Sequence, residues 1–327
     1  MWNSASGSGP VYLPNQNHPD PEKEELYKNP KFLKALSHAI NRSQINRMIF
    51  YDTGMETTGT FSPQCVEYHR SEKGAEMFER WRDSAKEYDP AKAEAMLDEI
   101  GVVDQNGDGW RQLPSGDELT LRIDMAAGSG NQYLDSTTIV EESWKNIGLN
   151  VMINTVDGAA LGILNNEAEF DIRNSWEVAN PQNHLNNGRW LVPFDNARWA
   201  PLYGNWDKVK GTDLEGTELD KDPRDRTPPR QEPAPDSPVA RLQELRREAM
   251  QTPEVEKRDE LVFEMIEIHI EHGPFIIGTV GDYERVGVVT NRMKNVPRKE
   301  DLPLGGYVNP WFSYEDGANP MQFYIQE

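Results

Sequence analysis

Helical and strand-like hydrophobic patterns alternate along this chain from Ala93 onward, and that alternation limits the folds open to it. Apolar and polar residues alternate strictly over 119–125, helical spacing follows over 135–147, and a second strand pattern occupies 149–153. Strands separated by helices are typical of an α/β layer with crossover connections. Binding sites in such layers lie at strand ends, so the loop after the strand pattern at 170–172 is the first candidate site.

Capping residues mark several helix boundaries. Asn29 followed by Pro30 predicts a helix start, and Asp89 followed by Pro90 predicts another helix, which Gly101 ends. The same reasoning predicts short helices from Ser43 and from Asp157, two later helices over 239–250 and from 252 to 272, and a buried strand at 275–277.

Residues 207–238 interrupt this pattern with charge, glycine and proline. Closely spaced prolines do not fit a helix interior or a central strand, because proline lacks the backbone N–H donor. The sequence therefore predicts an exposed loop or insertion here.

Net charge and hydrophobicity limit the partners. The chain has 34 Lys+Arg and 55 Asp+Glu, a formal net charge of −21. Since nucleic-acid binding requires a basic surface, DNA and RNA are excluded as principal partners, and anionic membrane surfaces are disfavoured. The longest uncharged apolar stretch near the C-terminus, 273–281, is shorter than the roughly 20 residues that span a bilayer. Residues 1–5 lack the basic and then apolar pattern of a secretory signal.

The sequence predicts no metal, cofactor or catalytic residues. Because Cys65 is the only cysteine, no intramolecular disulfide and no Cys-based zinc site is expected. Residues 104–109 resemble the start of a calcium loop, but Ser115 replaces the bidentate glutamate, which favours a turn. His269 and His272 lack an identifiable third ligand, which favours a solvated, capping or packing role. Nucleotide-binding and nucleophile-elbow motifs are absent.

Tryptophans and asparagines are concentrated after the strand pattern at 170–172. Tryptophan faces stack on sugars or side chains, and amides satisfy polar ligand edges, so the combination suits a wet pocket. The alternative is that each tryptophan packs in the core. The tryptophans are Trp176, Trp190, Trp199 and Trp206, and the predicted ligand-binding residues are Trp176, Asn174, Glu177, Asn180 and Trp190.

Several segments, in order, resemble the extracellular solute-binding proteins of family 5, which are the peptide, nickel and oligosaccharide receptors of ABC importers. The first is Ala35-Leu-Ser-His-Ala-Ile-Asn-Arg42, which is similar to that family's A-L-S-x-A-I-[ND]-R signature. The others are residues 88–109 with the strand pattern after them, 144–148, 169–172 with Trp176, and 257–297. Their shared order over nearly the whole chain carries the resemblance.

The resemblance implies a type II periplasmic-binding-protein-like α/β fold, with one near-complete lobe and the C-terminal part of the other. Residues 1–28 would be a tail and a crossing strand, 29–272 the second lobe with an insertion at 207–238, and 273–327 a return to the first lobe. The signature falls near the middle of family members, so we expect most of the first lobe and a signal or lipid anchor to be missing. The implied protein is a non-enzymatic, monomeric receptor, periplasmic or extracellular at the membrane. It would deliver a peptide or oligosaccharide to permease subunits.

One departure affects the ligand. Oligopeptide-binding members carry an aspartate shortly after the tryptophan that matches Trp176, and it pairs with the amino terminus of the peptide. Here Trp176-Glu-Val-Ala-Asn-Pro181 lacks it. Glu177 is a possible substitute, and a ligand without an ammonium group, such as an oligosaccharide, is equally compatible.

Two other classes of function stay open from the sequence. One is a glycosidase with two carboxylates about 5 to 9.5 Å apart around the tryptophan-rich loop. The other is a non-transporting sensor or interaction module built on the same lobe.

Overall fold

A computed structural model describes residues 2–3, 6–178, 183–186, 188–195, 197–285, 288–298, 301, 304 and 323–326. Its described strands range from two to seven residues in length. They are β1 (Trp2–Asn3), β2 (Gly9–Pro14), β3 (Met55–Glu56), β4 (Thr120–Ala126), β5 (Asn150–Val156), β6 (Ile172–Ser175), β7 (Ile277–Gly281), β8 (Glu284–Arg285), β9 (Met293–Lys294) and β10 (Tyr324–Ile325).

Six of these strands form one mixed sheet in the order β3-β7-β2-β6-β4-β5. Strand β4 is parallel to both of its neighbours, whereas β2 is antiparallel to β6 and β7. The parallel part is the α/β layer that the sequence predicted, and helices connect its strands. The remaining strands form two small antiparallel pairs, β1 with β8 and β9 with β10.

Three of the described helices begin at capping residues that the sequence indicated. The side chains of Asn29, Asp89 and Asp157 each accept hydrogen bonds from backbone N–H groups in the first turn. The described helices are α1 (Pro21–Lys28), α2 (Pro30–His38), α3 (Arg42–Ile49), α4 (Glu72–Asp83), α5 (Pro90–Glu99), α6 (Asn131–Lys145), α7 (Gly158–Asn166), α8 (Pro201–Val209), α9 (Pro238–Gln251) and α10 (Val255–His272).

Several elements differ from the sequence prediction. The strand predicted at 275–277 is observed as β7 over Ile277–Gly281, and helices α1 and α4 were not predicted. Helix α3 begins at Arg42 because Asn41 caps it, and α6 begins at Asn131, four residues before the predicted start. Helix α8 was not predicted, because Trp206 within it was assigned to the tryptophan-rich loop. The structure therefore replaces part of that loop with a packed helix.

The sheet has a hydrophobic core on each face. Along β2, Tyr12 points to one core, while Val11 and Leu13 point to the other, as the two-residue period of a strand requires. Trp144 of α6 lies in the first core and Trp81 of α4 in the second. Burying a large apolar side chain of this kind contributes about 2 to 3 kcal/mol, so both faces of the sheet are firmly anchored.

The polar segment at 207–238 is irregular between α8 and α9, as predicted. It is nevertheless not fully solvated, because Arg230 is completely buried. The Arg230 guanidinium donates to the carbonyl oxygens of Leu214, Thr217 and Pro228. One buried cation therefore organises a segment that is too polar to form a hydrophobic core.

The last two features of the fold are the position of β7 in the sheet and the hydrophobicity of the described helices. Strand β7 belongs to the 273–327 segment but lies in the main sheet between β3 and β2, and the predicted division of the lobes at residue 273 stays a prediction. In the described part of the chain, no helix has both the length and the apolar character needed to cross a membrane.

Candidate functional site

The candidate site lies at the end of β6, where the chain leaves the sheet. Asn174 is 4% exposed, and its amide lies 3.3 Å from the Oγ1 of Thr137, which also accepts a hydrogen bond from the Tyr12 hydroxyl. Two positions later, Trp176 is 56% exposed. The strand end therefore turns an amide into the core and presents an indole ring outward.

The Trp176 ring has a cation beside it. The Arg198 guanidinium lies 5.9 Å from the Trp176 ring centroid and 5.4 Å from that of Trp190, within the range of cation–π contact. Arg198 Nη1 also donates to the Ser175 hydroxyl at 2.6 Å. Arg198 thus bridges the end of β6 and the segment that follows it.

The other tryptophans of the predicted cluster are buried, and Trp190 and Trp199 belong to the second core. Trp190, Trp199 and Trp206 are 6%, 0% and 6% exposed, and Trp199 stacks on Phe275 with centroids 4.8 Å apart. Packing, the alternative weighed from the sequence, describes these three residues. A ligand contact for Trp190 stays a prediction, and its ring already contacts Arg198.

Glu177 is tied to a distant segment. Its Oε1 accepts a hydrogen bond from the Tyr283 hydroxyl, and a Cβ added at Gly9 would lie only 2.7 Å from its Cγ. Glycine at position 9 therefore lets β2 pass close to this side chain. The last predicted ligand-binding residue, Asn180, lies outside the described residues.

Three arginines, which the sequence did not single out, surround this strand end. Burial, together with the neighbouring charge of Arg198, lowers the pKa of Arg173 to about 10. Burial also lowers the pKa of Arg198, and the charge of Arg189 adds to this effect. Because these residues are distant in sequence, no spacing motif reveals them. Arg173, Arg189 and Arg198 are called the arginine cluster below.

A second group of polar side chains is buried elsewhere in the described structure. Cys65, Glu67 and His184 bring a thiol, a carboxylate and an imidazole nitrogen within 4.8 Å of one another, which sequence spacing did not show. Glu67 accepts from the His184 backbone N–H at 3.1 Å and faces its Nδ1 at 3.1 Å, while His184 Nε2 lies 2.8 Å from the Tyr68 hydroxyl. These contacts fasten the segment around His184 to residues 67–68, which precede α4.

The two metal-like patterns in the sequence have internal partners. The Asp104 carboxylate accepts from the backbone N–H groups of Gly107 and Gly109 at 2.7 and 2.9 Å, so the loop is a turn of the predicted kind. His269 is buried with its Nε2 2.7 Å from the Leu191 carbonyl oxygen, whereas His272 is substantially exposed. The packing role favoured by the sequence is therefore what His269 performs.

Known proteins resemble part of this chain in sequence. The model of the bacterial extracellular solute-binding proteins, family 5 Middle, matches residues 2–196. The oligopeptide-binding protein AppA of Bacillus subtilis is 30% identical over 142 residues, which is 43% of this chain and 24% of AppA.

Solved structures of periplasmic binding proteins also superpose on this chain. The oligopeptide-binding protein OppA superposes with a TM-score of 0.73 at 25% identity, covering 100% of this chain and 48% of OppA. The periplasmic binding protein MelB from Agrobacterium fabrum, in complex with stachyose, gives a TM-score of 0.64 at 17% identity, covering 90% of this chain and 41% of MelB.

The chain thus spans about half the length of the solved proteins that it matches. Its fold is the periplasmic-binding-protein fold, represented by one part of that architecture. The family match covers more than half of the chain, in agreement with the ordered segments found in its sequence. The chain belongs to the bacterial extracellular solute-binding proteins of family 5.

Proposed function

We propose that this chain is part of a solute receptor of an ABC importer, and that its share of the binding site is the end of β6. The observation that carries the proposal is the exposed indole of Trp176, held beside Arg198 by the strand end. An aromatic face with a few fixed polar groups is the usual composition of a small-molecule site. The complete receptor would release its solute to permease subunits.

A peptide and an oligosaccharide are both compatible with this surface. AppA and OppA are oligopeptide-binding proteins, and MelB was solved with stachyose. A tryptophan face can stack on a peptide side chain or on the apolar face of a sugar ring. Glu177, held by Tyr283, is the proposed partner of a peptide ammonium group if the ligand is a peptide.

A binding role fits the local charge better than the glycosidase alternative does. Glycosidases require a pair of carboxylates, whereas the described surroundings of Trp176 are dominated by the arginine cluster. The proposed receptor is a monomer, located in the periplasm or outside the cell at the membrane, where its family operates. A non-transporting sensor on the same fold would share the site and lack the permease.

Fluorine NMR of the chain labelled with fluorotryptophan tests the proposal. Peptides and neutral oligosaccharides are titrated to millimolar concentration, which detects the weak binding expected of a partial site. One class should shift the Trp176 signal, identified by its absence from Trp176→Phe. Trp110, exposed in the turn after Asp104, provides the control signal, and Trp110→Phe should bind normally.

A shift of both signals would indicate a general solvent effect. No shift of the Trp176 signal with any peptide or oligosaccharide would contradict a solute site at this strand end.

A further inference from the structure

We infer that Cys65, Glu67 and His184 form a binding site for a divalent metal ion of the zinc type. None of the three residues belongs to the candidate solute site, and the inference does not depend on the proposed function. It concerns an ion held by the folded chain itself, so it can be tested without knowledge of the solute.

The three donor groups already lie close together. The Cys65 thiol, a Glu67 carboxylate oxygen and a His184 ring nitrogen are within 4.8 Å of one another. In a tetrahedral zinc site, bond lengths of about 2.0 to 2.3 Å place neighbouring ligand atoms about 3.3 to 3.6 Å apart. A movement of about 1 Å is therefore enough to bring the three donors onto one ion.

The contact between Glu67 and His184 differs from an ordinary hydrogen-bonded pair. Glu67 Oε2 and His184 Nδ1 lie 3.1 Å apart, yet neither atom makes a hydrogen bond within the described part of the chain. Since the distance suits a hydrogen bond, the direction of approach is what fails. Two ligands of one metal ion have this arrangement, because each lone pair points at the ion and not at the other ligand.

Aromatic neighbours hold the His184 ring in place. The ring stacks on Phe61 with centroids 4.7 Å apart and meets Tyr68 edge-on at 4.8 Å. His184 Nε2 lies 2.8 Å from the Tyr68 hydroxyl oxygen, which is placed to accept the Nε2 proton. A metal-bound histidine usually donates its second ring N–H to such an acceptor, and this leaves the Nδ1 lone pair for the ion.

The charges of the group also suit a divalent ion. Glu67 Oε1 accepts from the His184 backbone N–H at 3.1 Å, which fixes the carboxylate and leaves Oε2 for another partner. Cys65 and His184 are fully buried, and Glu67 is nearly so. A thiolate and a carboxylate would neutralise the two charges of the ion, and the thiol proton would leave to solvent on binding. The ion would also satisfy buried polar atoms that are costly without a partner.

A surface cavity provides a route to the site. Its volume is about 470 Å³, and its lining includes Glu67 and Asn183, the residue before His184. Arg70 on the same cavity pairs with Asp259 at 2.7 Å, so its charge is balanced. A hydrated cation can therefore approach Glu67 from solvent, as a metal site requires. The fourth position of a tetrahedral ion would hold a water molecule.

The donor set favours zinc over the common alkaline-earth ions. A thiolate, an imidazole and a carboxylate are the three ligand types that zinc takes in proteins. Calcium and magnesium take oxygen ligands, so a thiol and an imidazole do not suit them. Cobalt(II) accepts the same donors and serves as a coloured substitute for zinc.

Zinc binding is measured by calorimetry on the full chain, kept reduced and freed of metal beforehand. We expect one zinc ion per chain, with a Kd of about 1 μM or tighter. Zinc at a hundredfold excess over Kd should raise the melting temperature by about 3 °C or more. Cys65→Ser and Glu67→Gln should each weaken binding about 100-fold or more. His272→Gln is the control and should bind normally, because exposed His272 lies beside Glu271 and outside the group.

Cobalt(II) identifies the ligands without any substitution. Added to the wild-type chain, it should produce the ultraviolet absorption of a cobalt–thiolate bond and the visible bands of a tetrahedral ion. Because Cys65 is the only cysteine, the ultraviolet absorption assigns its sulfur as a ligand. Excess zinc should remove both signals. Circular dichroism checks that each variant is folded.

The outcomes are distinct. Binding that is lost in Cys65→Ser and Glu67→Gln and kept in His272→Gln, together with the cobalt–thiolate absorption, would support the inference. Binding lost only in His272→Gln would identify an adventitious ion at the surface and overturn it. Absence of both zinc binding and cobalt–thiolate absorption in the wild-type chain would also overturn it and leave Glu67 and His184 as a buried ion pair. None of these results alters the test of the solute site at Trp176.

Discussion

Arg42 and the arginine cluster show two different ways of burying a guanidinium in one protein. Arg42 is completely buried, and the chain itself satisfies it. The arginine cluster is partly buried, has sealed Nε atoms without a described acceptor and lies beside an exposed tryptophan. The acceptors around Arg42 are the carbonyl oxygens of Ser37, Thr57, Lys86 and Gly278 and the Ser37 hydroxyl.

Asp171 makes the contrast sharper, because it lies just two positions before Arg173. It pairs with Lys23 at 2.9 Å and with His18 at 3.0 Å, and it accepts from the Tyr27 hydroxyl at 3.0 Å. Asp171, just before β6, is therefore paired within the chain, whereas Arg173 in the strand and Arg198 at its other end form no ion pair with the described residues. The difference indicates that the charges with internal partners hold the fold, whereas those without them are available to a ligand.

The largest predicted effect is the loss of stability on substitution of Arg42. Arg42→Gln should lower the free energy of unfolding by about 3 to 5 kcal/mol, because several buried carbonyl oxygens lose their donor together. Urea denaturation measures this change. Arg47→Gln is the matched control, since Arg47 is exposed on the same helix and should change stability by less than about 0.5 kcal/mol. Similar losses for the two variants would contradict the interpretation that the hydrogen bonds of buried Arg42 stabilise the fold.

A second prediction concerns another group satisfied inside the fold, His269. Burial lowers the pKa of His269 to about 4. The unfolded chain therefore binds this proton at higher pH than the folded chain, and stability should fall as pH decreases from about 6.5. The loss should reach about 3 kcal/mol near pH 4.

Urea denaturation across this pH range measures how steeply the free energy of unfolding changes with pH. His269→Gln retains an amide donor for the Leu191 carbonyl and cannot gain the proton, so its slope should be shallower. An unchanged slope would assign the acid sensitivity to other groups.

Asp171→Asn should have a smaller effect, about 2 kcal/mol at pH 7, because asparagine keeps the shape but not the charge. Hydrogen bonding and charge from His18 and Lys23 outweigh burial and hold the pKa of the Asp171 carboxyl well below its usual range. The folded state therefore gains stability from this carboxylate above about pH 4 and loses it as pH falls. The difference between wild type and variant should shrink in acid, and a difference independent of pH would contradict this electrostatic explanation.

The sequence predicted the framework because its signals are local. A cap such as Asn29 or Asp89 acts on the helix that it precedes, and strand alternation depends on neighbouring residues. The start of α6 at Asn131 was missed because Gly130 there makes no side-chain cap. Helix α8 was missed because Trp206 within it was interpreted as part of a pocket.

The site was less predictable because it depends on contacts between distant segments. Sequence placed Trp176 correctly at a strand end, but it could not distinguish this exposed ring from the buried ring of Trp199. The arginine cluster comes from a strand and from the segments after it, and no local pattern requires these side chains to meet. Only the folded chain shows which of its arginines have acceptors.

Arg198→Gln should change the free energy of unfolding by less than about 1 kcal/mol. Loss of the Ser175 hydrogen bond and of contact with the two tryptophan rings is opposed by relief of repulsion within the arginine cluster. Urea denaturation beside Arg42→Gln makes the comparison direct, since the same substitution is made in both. A loss as large as that of Arg42→Gln would mean that Arg198 is a structural residue.

The smallest expected effect is that of calcium on the turn at residues 104–109. The Asp104 carboxylate already binds two backbone N–H groups, and the Asp108 carboxylate accepts from the Trp110 N–H, so the oxygens that a calcium ion would need are engaged by the chain. Calcium chloride compared with a chelator should therefore shift the melting temperature by less than about 1 °C. Asp104→Ala should instead lower stability by about 1 kcal/mol in both conditions, because the turn loses both acceptor contacts. A calcium-dependent rise in melting temperature that disappears in Asp104→Ala would show that internal hydrogen bonds do not exclude a ligand, and it would weaken the same reasoning applied to Arg42.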